Sequence, residues 1–318
     1  MSYLLDFREP FREQGVWWLP SAPDDHVAGT LTFNQDDGGA LALVGVFGTI
    51  QDSLAVGHRD IETIHGLTMK GKRITIFKGS RRTANYNFPG IANEIYYAPW
   101  ILIGYHAASF DECLYAVSDF RFDSAEKWLG HRRFKRVAGA STGLPYGMDK
   151  IAPRVLATID DFTITADAAA TVNSSDGNDL SAKSESRISI SSAEPKSLSW
   201  HLSAASKLQS LASLCAGKHL PLSAIRLKGL MEQVTDDDAE QLDIDVLVRM
   251  VGGNARVIKE SDPYVFTLDT LIDHSADAIS QWYAAYDQIA PALNLYFSLI
   301  GYNQTHFQCA VHSSSSSA

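Results

Sequence analysis

From residue 16 to about 122 the chain is written in short runs of alternating apolar and polar residues with turn formers between them, and this period of two rules out an all-helical fold. The runs are Leu31 to Phe33, Leu41 to Phe47, Ile61 to Met69, Arg73 to Phe77, Ile95 to His106 and Tyr115 to Phe122. Many short strands in succession make a mainly antiparallel sheet, as a sandwich or an open barrel. Within it, "HGLTMKGKRITIF" (His65 to Phe77) places a polar, turn-prone centre between two alternating flanks, and reads as a hairpin with Gly71 in its turn.

"SAEKWLG" predicts a short helix ending at Gly130 with Ser124 as N-cap, and the Gly/Ser/Pro-rich passage after it reads as loop. Strands resume at Arg154 to Ile164 and Arg187 to Ser191, around a polar stretch suited to a hairpin tip. Leu198, Leu202, Ala205, Leu208, Leu211 and Cys215 then recur at three and four, which predicts a long helix with Pro195 near its start and Gly217 as its C-terminal cap. Ala224 to Leu227 and Ile244 to Met250 read as strands flanking a solvated acidic loop, "DDDAEQLD". A final helical pattern carries Ile279, Trp282, Tyr286, Ile289, Leu293, Tyr296 and Ile300 on one stripe, with a break expected before Pro291. The fold class is therefore α+β: a β-rich N-terminal domain with a packed helix, followed by a truncated all-α segment.

A chain of 318 residues has room for about two domains. Its net charge of -10 confines any nucleic-acid contact to a local patch. The one compact basic site is "HRRFKRV", with Arg132, Arg133, Lys135 and Arg136 around Phe134, which reads as a phosphate or acidic-partner contact or as a solvated loop. Trp17, Trp18 and Trp100, with Tyr96 and Tyr97, form either a stacking platform for sugars or bases or ordinary sheet packing. Cys113, Cys215 and Cys309 are odd in number and lack metal-ligand spacing, so no metal or other cofactor is expected and the thiols read as reduced. The charged N-terminus is unlike a signal peptide, and Ile95 to Phe110 is too short to span a bilayer, which predicts a cytoplasmic protein without a membrane partner. Asp160 and Asp161 are adjacent on a predicted strand and would point to opposite faces. No catalytic constellation emerges, and no residue is assigned a catalytic role.

Four segments carry a family resemblance: Gly15 to Phe47, the hairpin "IHGLTMKGKRITIF", "WLG" at Trp128 to Gly130, and Glu194 to Gly229. In this order they resemble the N-terminal region of ApeA-type anti-phage proteins. The resemblance implies a prokaryotic abortive-infection protein in which a β-rich domain precedes a helical HEPN domain, a metal-independent ribonuclease whose Arg and His act on RNA. It divides the chain into 1–265, the β-rich domain with sub-parts about 1–122 and 150–255; 266–301, the start of the HEPN domain; and 302–318, an atypical tail. Arg59 and His65 have five residues between them, as in a HEPN motif, but they fall on a strand pattern where that chemistry needs a helix. This chain is thus expected to be a sensor or regulatory portion without nuclease activity, answering to a phage-derived trigger or RNA. Self-association through the stripe at Trp282 and Tyr286 is expected as well. A stand-alone β-sandwich module binding carbohydrate or nucleic acid is the alternative.

Overall fold

A computed structural model describes residues 4–55, 58–87, 89–131, 134–136, 146–148, 151–175, 179–229, 231–233, 239–249, 264–271 and 274–299. In chain order the elements are β1 (Phe11–Leu19), β2 (Ala22–Asn34), β3 (Gly38–Val44), α1 (Ile50–Ala55), β4 (Asp60–Thr68), β5 (Arg73–Asn85), β6 (Asn93–Ala98), β7 (Trp100–Ile103) and β8 (Tyr115–Phe122). They continue as α2 (Ala125–Trp128), β9 (Phe134–Arg136), β10 (Tyr146–Met148), β11 (Arg154–Ile159), β12 (Phe162–Ser175), β13 (Asp179–Lys196) and α3 (Leu198–Ala216). The last are β14 (Leu222–Lys228), β15 (Met231–Gln233), β16 (Ala239–Gln241), β17 (Ile244–Val248) and α4 (Ser275–Leu299).

The strands confirm an antiparallel β-rich α+β fold, and they also close a ring. β5, β4, β1, β2, β3 and β6 pair in that order, and β6 pairs back onto β5. β5 makes this possible by changing partner along its length: Ile74 to Phe77 pair with β7, and Ser80 to Asn85 pair with β6. Lys78, at φ 55, sits at the changeover, where a non-glycine residue in the left-handed region marks a sharp local redirection. From β7 the sheet continues as an open half in the order β17, β14, β8, β13, β12, β11.

The barrel is filled, because alternate residues on its strands face inward. Trp17, Leu31, Leu41, Ile64, Ile76 and Tyr96 share the inward register and are all 0% exposed. Gly66 pairs with Trp17, and a Cβ there would lie 2.2 Å from the indole carbon Cε3. The glycine of "HGLT" is thus required by an indole lying flat on its backbone. Gly66→Ala is expected to destabilise the fold by ~2 kcal/mol or more, since the fully buried Trp17 ring would have to shift among its neighbours; a urea midpoint equal to wild type would refute this. The turn between β4 and β5 is the expected one, with Gly71 at φ 76.

α3 lies on one face of the open half, against β8 and β13, and α4 packs on α3 and β11. Ser197 caps α3, accepting from the Trp200 N–H at 3.3 Å, and Gly217 ends it at φ 64. Several expectations are corrected. Ser124 occupies the N-cap position of α2 but has φ 57 and makes no side-chain cap bond. Arg154 to Ile164 is two strands joined at Asp160 and Asp161, with Asp160 at φ 47, so the two carboxylates form a turn. Ile95 to His106 divides at Pro99 into β6 and β7, leaving His106 on the irregular connection to β8. Pro195 lies in β13, ahead of the helix. α4 runs through Pro291 without a break. On its stripe Tyr286 is 5% exposed and Trp282 is half-buried against α3, while Tyr296 is 36% exposed. Of the acidic segment, Ala239 to Gln241 forms β16, paired with β15, while 234–238 lie outside the described residues.

Candidate functional site

The residues nominated from sequence separate in three dimensions. Trp17 fills the barrel and Trp100, 4% exposed, packs on Phe110, so neither offers a stacking surface and the three-tryptophan platform is not formed. Tyr96 is buried with them. Alternation decides this: neighbours on β1 point to opposite faces, and Trp18 faces outward where Trp17 faces in. Arg132 and Arg133 lie outside the described residues. Lys135 and Arg136 are placed only through the backbone of β9, which pairs with β10.

Around Trp18 the fold assembles a cluster drawn from four places. His65 stands opposite it on β4, His26 comes from β2, and His106 comes from the connection between β7 and β8. The His65 and His106 rings stack at 4.6 Å and 14°. Trp18 meets both edge-on, at 6.3 and 5.2 Å, and touches His26 at 4.9 Å. The stacked pair is reciprocal: His65 Nε2 donates to the Ala107 carbonyl at 3.0 Å and His106 Nε2 to the Gly66 carbonyl at 2.8 Å. A carbonyl oxygen only accepts, so each Nε2 carries a proton. Burial, and then the neighbouring His65 and Arg73, hold the His106 pKa below its ordinary value despite the Gly66 bond. The cluster, with Trp18, His65 and His106 half-buried and His26 exposed, therefore presents an indole and three imidazole rings.

These groups do not make a ribonuclease pair. Arg59 gives its Nη1 to the Phe47 carbonyl at 2.9 Å, whereas His65 is bound to Ala107. Six residues of extended chain hold the two about 20 Å apart.

Two other polar constellations were not legible in the sequence. Inside the barrel, Arg81 Nη1 meets Glu94 Oε1 at 2.7 Å, with side chains 5% and 0% exposed. Glu94 also accepts from the Ser53 and Tyr96 hydroxyls and the Phe47 N–H. Burial alone would raise its pKa; the bonds from Ser53, Arg81, Tyr96 and Phe47 outweigh it and hold the carboxylate ionised. The second constellation lies on the face of the open half away from α3, where an ionic row crosses five strands. Arg187 links Asp167 to Asp119, Lys228 adds to Asp119, and Arg226 pairs with Asp245. Among the described residues, no group of three or more His, Cys, Asp or Glu side chains is arranged to hold a metal ion. No described helix is long and apolar enough to cross a membrane.

The model of the family described as ApeA N-terminal domain 1 matches residues 12–282, which takes in the whole barrel, the open half and α3. The chain belongs to the ApeA N-terminal domain 1 family. The family places it in anti-phage defence. No curated protein and no solved structure matches it. The ApeA match ends inside α4, eight residues into a helix that continues to Leu299.

Proposed function

We propose that this ApeA-type chain is the sensor or regulatory portion of an abortive-infection protein, and that α4 leads from it into a HEPN ribonuclease domain. The observation that carries the reading is the extent of the match: it spans the β-rich part and stops within α4. Supporting it, neither α3 nor α4 contains an arginine, so neither of these long helices, among the described residues, offers the Arg/His motif of that chemistry. A phage-derived trigger or RNA is the input on this reading, and the rim around Trp18, His26, His65 and His106 is where it is received. The reading places the chain in the cytoplasm.

Overproducing the chain beside a complete ApeA-type system tests this. A sensor without its effector competes for the trigger, so phage plating should recover by at least about tenfold, as mass action requires when the competing sites are in excess. The purified chain should leave RNA intact. Cleavage by the purified chain, or unchanged plating, would sink the proposal. A stand-alone binding module for carbohydrate or nucleic acid keeps only Trp18 of its three tryptophans, and in that case ligand titration would quench Trp18 fluorescence in the isolated chain.

A further inference from the structure

We infer that β8, α3 and α4 move as one rigid unit, which makes α3 the relay that sets the direction of α4. The inference rests on the sensor reading and names how that sensor's state leaves the domain.

The boundary of the family match falls within a continuous helix, so the chain has no hinge there. The side chains at that boundary are keyed to α3. Trp282 Nε1 donates to the Lys207 carbonyl at 2.8 Å, and the Tyr283 hydroxyl to the Ala204 carbonyl at 2.6 Å. One turn later the Tyr286 hydroxyl meets Ser210 Oγ at 3.3 Å, and Asp287 pairs with Lys207 at 3.1 Å. Two of these contacts read main-chain carbonyls of α3, so they report where that helix sits. The Tyr283 ring also packs on Phe162 at the start of β12, 5.5 Å away.

α3 is fixed to the sheet in turn by His201, which is 0% exposed. Its Nε2 donates to the Tyr115 carbonyl at 2.8 Å, and its Nδ1 accepts from the Ser118 hydroxyl at 2.6 Å. Both partners belong to β8. On the opposite face of the same strand Asp119, 1% exposed, gathers Ser189, Arg187 and Lys228. A displacement of β8 therefore has two routes: outward into the ionic row, or through His201 into α3 and on to α4. Packed interiors transmit such displacements because they compress little.

Amide hydrogen exchange followed by mass spectrometry on the whole chain tests this in the absence of any trigger. In wild type, peptides from residues 279–290 should be protected to the same degree as α3. In the double variant Trp282→Phe and Tyr283→Phe, which keeps an aromatic ring at each position and removes both donors, exchange in α4 should rise about tenfold or more while β8 and β14 are unchanged. In Ser118→Ala, altered only on β8, exchange should rise in α3 and α4 together. If Ser118→Ala fails to give a cooperative melt, Ser118→Cys, a weaker donor of similar size, takes its place. Faster exchange in α3 with α4 unchanged would overturn the relay, as would wild-type protection of α4 in the double variant. Either result leaves the sensor reading standing, because that reading is decided by plating.

Discussion

Glu94→Leu should lower unfolding stability by about 3–5 kcal/mol, the cost of stranding a buried charge when its partner is removed. The loss arises because the Glu94 carboxylate answers four groups inside the barrel: Arg81, Ser53, Tyr96 and the Phe47 N–H. Without it, a guanidinium 5% exposed loses its counter-charge and keeps only neutral acceptors such as the Ser53 carbonyl and hydroxyl, at 3.0 and 2.8 Å. Adding Arg81→Met should restore part of the loss, since it removes the stranded charge. Recovery stays incomplete because the Tyr96 hydroxyl still lacks the Glu94 acceptor, and an unsatisfied buried hydroxyl costs about 1–3 kcal/mol. A double-mutant cycle from urea melts reads both quantities; Glu94→Leu within about 1 kcal/mol of wild type would show that the barrel tolerates Arg81 without a counter-charge.

The second large effect is on pH dependence. Burial pushes the His201 pKa from 6.5 down to about 4, against the Tyr115 bond, which favours the charged form. The unfolded chain therefore binds a proton near pH 6.5 that the folded chain refuses until about pH 4. Stability contributed by neutral His201 is complete above pH 6.5 and is lost as pH falls toward 4. The shift corresponds to roughly 3 kcal/mol across that window. His219, held near 3 by burial, adds in the same direction. Carboxylates held low, such as Glu94, act below about their ordinary value of 4.5, so above it they leave the histidine slope undisturbed. Urea midpoints at pH 7, 5.5 and 4.5 should show the slope in wild type, and a shallower one in His201→Gln. Identical slopes would mean that His201 is not the group being titrated.

How far these sites could be read from sequence differs residue by residue. The hairpin at His65 was legible because a period of two, bounded by a glycine, is a local property. α3 was legible for the same reason: its apolar spacing and its glycine stop are written within one segment. Arg81 and Glu94 were not. Each sits beyond the alternating runs recognised as strands, Arg73 to Phe77 and Ile95 onward, because a charge interrupts the hydrophobic period that marks a strand. Both strands in fact extend past those runs, and ring closure turns the two charges toward each other. His201 was hidden differently, three residues after Leu198 on the buried face of α3, with no sign in the segment that Ser118 would meet it.

The tryptophans show the division most plainly. That Trp17 and Trp18 lie on opposite faces of one strand follows from sequence and the geometry of a β-strand. Which face is interior depends on the partners, and these are 47 to 49 residues away on β4, where Gly66 receives Trp17 and His65 stands opposite Trp18. The cluster with His26 and His106 forms only when β2 and the connection after β7 are brought alongside. Local periodicity set the elements and the antiparallel class, and the ordered segments carried the family resemblance. Closure of the barrel, the buried ion pair, the histidine cluster and the seating of α4 on α3 were decided by tertiary structure. The physical reason is range: backbone pattern and turn chemistry act over a few residues, whereas burial of a charge or an indole is settled by groups distant in the chain.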